Sequence, residues 1–261
     1  MVTKYSQNAV SARDSRGFEP IFGLNTSLSS IALNYKGLAY RTEWVEASDI
    51  EAVLKPLGVE PNPPTAYAPY TLPAIYDPRT RSTIMESTKI ATYLDETYPD
   101  TPALLSPTTR VLQHAFLDAL NTTVQQPCSM LTLHPCIGKL NPPSQAFWQK
   151  KLEGIFGPLE DISPPGSEKR AQQWAAVEKG FETLSSWFNA AGDDRLLLLG
   201  GGADGRDSPI CHADTVIASH LIYTRFVLGE QSEEWRRVEV LDNGRWKRYL
   251  EYSQRWADES H

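Results

Sequence analysis

The residues of this chain whose types and spacing suit chemistry are two dipeptides, Leu72-Pro73 and Glu86-Ser87. A proline inside a strand-like run is normally confined to edges and bulges. A cis Leu72–Pro73 bond would account for it, because X–Pro is the one peptide bond at which cis costs little. Such a kink would turn the N–H and C=O of Leu72 outward, ready to pair with another extended peptide. Glu86-Ser87 stands where a helix should begin, and the free N–H groups and positive dipole end of a helix suit a carboxylate. A peptide-like ligand ending in an α-amino acid group fits both features. The plain alternative is a surface hairpin with an edge proline and an ordinary helix cap.

Other chemistries are poorly served. Cys128, His134 and Cys136 are close in sequence, but their spacing around Pro127 and Pro135 is irregular, so no metal site is expected. There is no Gly-x-Ser-x-Gly elbow, and the five histidines show no partner pattern for a hydrolase triad. The glycine-rich turn after Leu196-Leu197-Leu198-Leu199 lacks the Gly-Lys-Ser/Thr ending of a phosphate loop. Acidic neighbours such as Asp193-Asp194 and Glu233-Glu234 read as solvated surface.

The elements that must position the two dipeptides follow from periodicity. Leu72, Ala74 and Tyr76 alternate with Pro73, Ile75 and Asp77, the segment 77–81 supplies a polar turn, and Thr83-Ile84-Met85 opens a second apolar run. Ser87 is a good N-cap for a helix carrying Ile90, Ala91 and Leu94 and ended by Tyr98-Pro99. Upstream, residues 38–45 read as a strand and 48–58 as a helix opened by Ser48 or Asp49. A helix also leads from about Ser30 to a stop at Gly37. The first strand is sought at Phe18–Phe22, and residues 1–17 read as a polar N-terminal tail. Strand, helix, strand, then hairpin and helix is the order of a thioredoxin-like domain. The prolines at 99, 102 and 107 mark a linker, after which the pattern is helical, strongly so around Val111–Val124, Trp174–Phe188 and Asp214–Leu228. Residues 134–170 carry six prolines and read as an irregular insertion, with Phe147, Trp148 and Phe156 available to line an apolar pocket. Cys211 stands where a capping box ending at Asp214 prefers Ser or Thr.

Leu72-Pro73, then Glu86-Ser87, then a helix ending Tyr93-Leu94-Asp95-Glu96-Thr97-Tyr98-Pro99 resembles the glutathione-binding half of cytosolic glutathione transferases. The run Ala32–Val45, the pairs Ala213-Asp214 and Ala218-Ser219, and Asp242-Asn243-Gly244-Arg245-Trp246 are similar to the fungal-specific, etherase-like FuA class. The resemblance implies an α/β thioredoxin-like domain over 18–100 followed by an all-α domain over 108–261. It implies glutathione bound by Leu72, Pro73, Glu86 and Ser87, with Lys55 in reach of the glycyl carboxylate. It also implies that the loop from Gly23 to Ser30 stabilises the glutathione thiolate, the nucleophilic form. The usual serine of that loop falls on Gly23, so Asn25, Thr26, Ser27 and Ser29 are the candidates, and no cysteine is present there. Three functions follow from the resemblance: a cytoplasmic, homodimeric transferase acting on aromatic or phenolic compounds by conjugation or aryl-ether thiolysis, in detoxification; a non-catalytic ligandin for hydrophobic molecules; or an isomerase or cyclase reusing the fold.

Composition agrees with this range. In 261 residues, 41% are apolar and 22% charged, as in a globular chain able to bury a core. A formal charge of -7 disfavours nucleic acid and anionic membranes as partners. No apolar run approaches the roughly 18 residues of a spanning helix, and three cysteines make no disulfide framework.

Overall fold

A computed structural model of the chain describes residues 2–5, 26–205 and 208–257. The first part holds β1 (Val2–Tyr5), α1 (Thr26–Tyr35), β2 (Tyr40–Glu43), α2 (Ile50–Leu54), β3 (Ala74–Asp77), β4 (Ser82–Met85) and α3 (Ser87–Thr97). The sheet order is β2-β1-β3-β4, with β1 antiparallel to β2 and parallel to β3. β3 and β4 form the expected hairpin, with Ala74 opposite Met85 and Asp77 opposite Ser82.

Two expectations are corrected here. Residues 2–5 are not tail but an inner strand, because β2 and β3 both offer a hydrogen-bonding edge to this short run. The strand sought at Phe18–Phe22 lies outside the described residues. The expected helix over 48–58 is also shorter. Pro56 has no N–H to continue it, so α2 gives way to a 3-10 turn at Lys55–Leu57, and Gly58 turns the chain at φ 75°.

The second part is helical: α4 (Arg110–Leu120), α5 (Gln126–Ile137), α6 (Pro142–Phe156), α7 (Glu168–Asn189), α8 (His212–Leu228), α9 (Glu233–Glu239) and α10 (Arg245–Ala257). The proline-rich insertion is therefore largely helix. Pro142 and Pro143 occupy the first turn of α6, where a missing N–H breaks no helical bond, and Pro135 lies within the last turn of α5. Among the described residues no helix is long and apolar enough to cross a membrane.

α1 joins the two parts. Its Leu28 and Ile31 belong to the helical core with Trp174, Phe181, Trp235 and Trp246, while Leu33 belongs to the sheet cluster with Ile75, Ile90 and Leu94. The C-terminal helix closes over it: Asn34 Nδ2 donates to the carbonyl of Trp256 at 2.8 Å, and Tyr35 meets the Trp256 ring edge-on at 5.6 Å. Within the core, Phe188 and Trp246 also meet edge-on, at 5.8 Å.

α6 makes a second junction. Asn141 Nδ2 donates to Glu46 Oε1 at 2.8 Å and the Ser144 hydroxyl donates to Glu46 Oε2. The backbone N–H of Ala47 in turn donates to Ser144 Oγ at 2.8 Å. Further along, Trp148 stacks on Tyr67 at 5.4 Å and Lys151 Nζ donates to the Tyr67 carbonyl at 3.1 Å.

α4 and α5 are joined by a π-helical turn, Asn121–Gln125, against which α7 lies closely. A Cβ on Gly180 would stand 2.2 Å from the carbonyl oxygen of Thr123. Gly180→Ala should therefore cost about 2–3 kcal/mol by overpacking, read as a shift of the urea midpoint at unchanged slope. A change below about 0.5 kcal/mol would show that the turn yields.

The clasp on Glu46 has a pH signature. Hydrogen bonds from Ser144 and Asn141 hold this carboxyl below its ordinary range, against a small opposing effect of burial. A depressed carboxyl contributes stability that is present above its unfolded value of about 4.3 and fades as pH falls through the folded one. Wild type should therefore exceed Glu46→Gln by about 1 kcal/mol near neutrality, and the two melting curves should converge toward about pH 3. A gap that stays constant across that range would exclude the carboxylate as the source.

Candidate functional site

The two dipeptides meet at the end of the hairpin. The Leu72–Pro73 bond is cis, and the Pro73 carbonyl accepts the backbone N–H of Glu86 at 3.3 Å. Pro73 is buried, while Leu72, Glu86 and Ser87 are half-buried.

Glu86, rather than Ser87, is the N-cap of α3. Its φ of 85° bends the chain out of β4, a conformation that non-glycine residues adopt rarely and chiefly at functional sites. That bend brings its carboxylate back over the helix end, where Oε1 accepts from the N–H of Thr88 and Oε2 from that of Lys89, both at 3.3 Å. Ser87 Oγ donates to Glu86 Oε1, also at 3.3 Å. These bonds are long, which suits donors that can be shared with an incoming anion. The site therefore offers helix N–H groups and a hydroxyl for a carboxylate beside a fixed negative charge for an ammonium, the two ends of an α-amino acid.

Three polar groups hold this corner in place. On the hairpin side, the Tyr93 and Tyr98 hydroxyls donate to Asp77 Oδ2 at 2.5 and 2.6 Å. Burial pushes the Asp77 carboxyl up, but those hydroxyls and the N–H of Arg79 outweigh it and hold the group below its usual range. At the far end of α3, Asp95 accepts from Lys36 Nζ at 2.7 Å and from the linker N–H of Leu105 at 2.7 Å. At the near end, Thr88 Oγ1 lies 3.2 Å from Nε2 of His212, the first residue of α8.

α8 itself is well capped despite Cys211. Asp214 Oδ2 accepts the N–H of Cys211 at 2.8 Å, and Oδ1 accepts from Leu198 N–H and the Tyr249 hydroxyl at 2.9 and 2.6 Å. Burial raises the Asp214 carboxyl all the same, only partly offset by those donors.

The other candidates are more scattered. Lys55 is exposed and pairs with Glu51 one turn away at 3.2 Å, so nothing ties it to the α3 corner. Asn25 lies outside the described residues, and Thr26 and Ser27 fall in the first turn of α1. Ser29 is fully buried within α1 and its hydroxyl has no partner. Phe147 and Phe156 are exposed on α6, and Trp148 stacks on Tyr67 and meets Phe147 edge-on at 5.4 Å. Cys128, His134 and Cys136 all sit on α5, the first buried, the second exposed and the third half-buried. Burial pushes the Cys128 thiol up to about 12, far from a reactive thiolate. Thr88 and His212 escape sequence reasoning, because no local pattern marks their partnership.

Comparison with known proteins places this geometry. The chain is 26% identical over 262 residues to the glutathione S-transferase-like protein ustS of Aspergillus flavus, covering 92% of this chain and 89% of that protein. A glutathione S-transferase of Ceriporiopsis subvermispora, solved in complex with glutathione, superposes with a TM-score of 0.83 at 39% identity, over 89% of this chain and 90% of that one. Glutathione transferase GSTFuA3 of Phanerochaete chrysosporium gives 0.81 at 37% identity, over 91% and 93%. The sequence models of the glutathione S-transferase N-terminal and C-terminal domains match residues 29–97 and 111–256. With the hairpin, the α3 corner and the helical half all accounted for, the chain belongs to the glutathione S-transferase family.

Proposed function

We propose that this protein is a glutathione transferase of the FuA, etherase-like kind, acting on aromatic or phenolic electrophiles. The observation that carries the reading is the Glu86-Ser87 corner bonded to Pro73. Its helix N–H groups and hydroxyl suit the γ-glutamyl carboxylate, and its fixed charge suits the α-ammonium. Leu72 and Pro73 suit pairing with the cysteinyl backbone, and Lys55, exposed on its turn, would leave its partner Glu51 to reach the glycyl end. Of the four loop candidates, burial takes Ser29 out of reach, which leaves Asn25, Thr26 and Ser27 to stabilise the thiolate. In ether thiolysis the thiolate forms a C–S bond and the electron pair of the broken C–O bond leaves with the phenolate; in conjugation by substitution the pair leaves with the group displaced from the ring. Two structural relatives crystallised with glutathione support the cosubstrate. Val111 and Leu112, 79% and 70% exposed on α4, suit burial in a homodimer.

Gly23 in place of the usual serine favours a second reading, in which the site binds glutathione and hydrophobic ligands without turnover. A cytoplasmic role in detoxification or transport fits both.

Calorimetry with glutathione on wild type and on the Glu86→Ala, Ser87→Ala double variant tests the site. The variant should bind at least about tenfold more weakly, a difference of about 1.4 kcal/mol. Its melting temperature must be followed alongside, because removing the α3 cap costs about 1 kcal/mol of stability by itself. Turnover of an aryl electrophile by wild type at saturating glutathione supports the transferase. Binding without turnover supports the ligandin, and a wild type that does not bind refutes the site.

A further inference from the structure

We infer that His212 is a positioning residue for the amino-acid end of the glutathione site, acting through Thr88; the inference rests on the reading above.

His212 is fully buried, yet both ring nitrogens have partners. The Thr215 hydroxyl donates to the His212 carbonyl at 2.7 Å, so its oxygen is left to accept from Nδ1–H at 3.4 Å. That sets the tautomer. Nε2 carries the lone pair and accepts the Thr88 hydroxyl at 3.2 Å. Burial, helped by nearby His114, lowers the ring to about 4 and keeps it neutral and able to accept. The backbone of His212 is fixed as well, its N–H donating to the Leu104 carbonyl at 2.9 Å.

Thr88 is thus held from two sides. Its hydroxyl is tied to the helical part of the molecule, and its N–H faces Glu86 Oε1. A ligand carboxylate arriving at the end of α3 competes with Glu86 for those N–H groups. The turn keeps its geometry during that exchange only if it is anchored elsewhere, and the His212 ring is that anchor. The helical part thereby tunes cosubstrate affinity without touching the ligand.

Thr88→Val and His212→Leu should each weaken glutathione binding about fivefold by calorimetry and raise KM for glutathione by the same factor, with kcat unchanged. His212→Gln, whose amide oxygen reaches the Nε2 position, should restore affinity to within about twofold. The double variant Thr88→Val, His212→Leu should also lose only about fivefold, because the two residues share one bond. Melting temperatures identify any variant that fails to fold, and if His212→Leu does, Thr88→Val against Thr88→Ser decides. Affinities within about twofold of wild type, or single losses that multiply to about 25-fold in the double variant, overturn the inference. Loss of binding in Glu86→Ala, Ser87→Ala with none in the Thr88 and His212 variants defeats the inference alone. Absence of binding in wild type defeats the glutathione reading and this inference with it.

Discussion

A buried ion pair between Lys36 and Asp95 is the constraint on which the two halves of this protein depend. Their side chains are 0% and 9% exposed, and the ammonium lies 2.7 Å from the carboxylate. Removing two charges from water is expensive, and the attraction between them compensates only when their remaining hydrogen-bonding capacity is used. Here it is used. The ammonium also donates to the Pro102 carbonyl at 2.9 Å, and the carboxylate accepts the N–H groups of Leu104 and Leu105. Leu104 and Leu105 are buried, and their N–H groups would otherwise lack a bond. The pair is thus less a source of net stability than the element that dictates where the chain leaves the sheet and enters the helices.

α3 is consequently a two-ended element. Its C-terminal half carries Asp95 and fixes the linker, while its N-terminal turn carries Glu86, Ser87 and Thr88. Leu104, set in place by Asp95, lends its carbonyl both to the N–H of His212 and to Gln113 Nε2, and Gln113 Oε1 accepts the N–H of Ala213. A chain of hydrogen bonds therefore runs from one end of α3 through the linker and the start of α8 and returns to its other end at Thr88. The first turn of α3 is braced because both ends of its helix are tied to the same small set of backbone groups.

How much of this was legible in the sequence depends on the range of the physics involved. The hairpin and α3 were legible because alternation and helical spacing are local, and the cis bond because a proline within a strand allows few alternatives. The linker and α7 were legible for similar reasons. Glu86 as the cap was missed because Ser87 is the better cap by residue type, and only the bend at Glu86 decides between them. β1 was missed because its four residues carry no pattern without the strands on either side. α6 was hidden by its own prolines, which read as breakers until they are seen to occupy a first turn. The partnership of His212 with Thr88 spans 124 residues and leaves no trace in either neighbourhood. Lys36 looked like an ordinary residue at a helix end, and nothing nearby marks it as buried.

The π turn between α4 and α5 also bears on how chains of this shape tolerate insertion and deletion. A π turn is an α-helix with one residue too many, and each residue of a regular helix rotates the chain by about 100°. Between Asn121 and Gln125 the surplus is absorbed, so α5 still presents Cys128 and Leu131 to the core that Leu120 enters from the other side of the turn and Val124 from the turn itself. Deleting one residue there would restore an unbroken helix and leave the later side chains of α5 in the same phase, because only the surplus residue is lost. The irregularity is what keeps two stretches of helix in angular register with one core despite that residue. A single-residue gap in this segment of an aligned relative therefore signals loss of the bulge with the same face of α5 still looking inward.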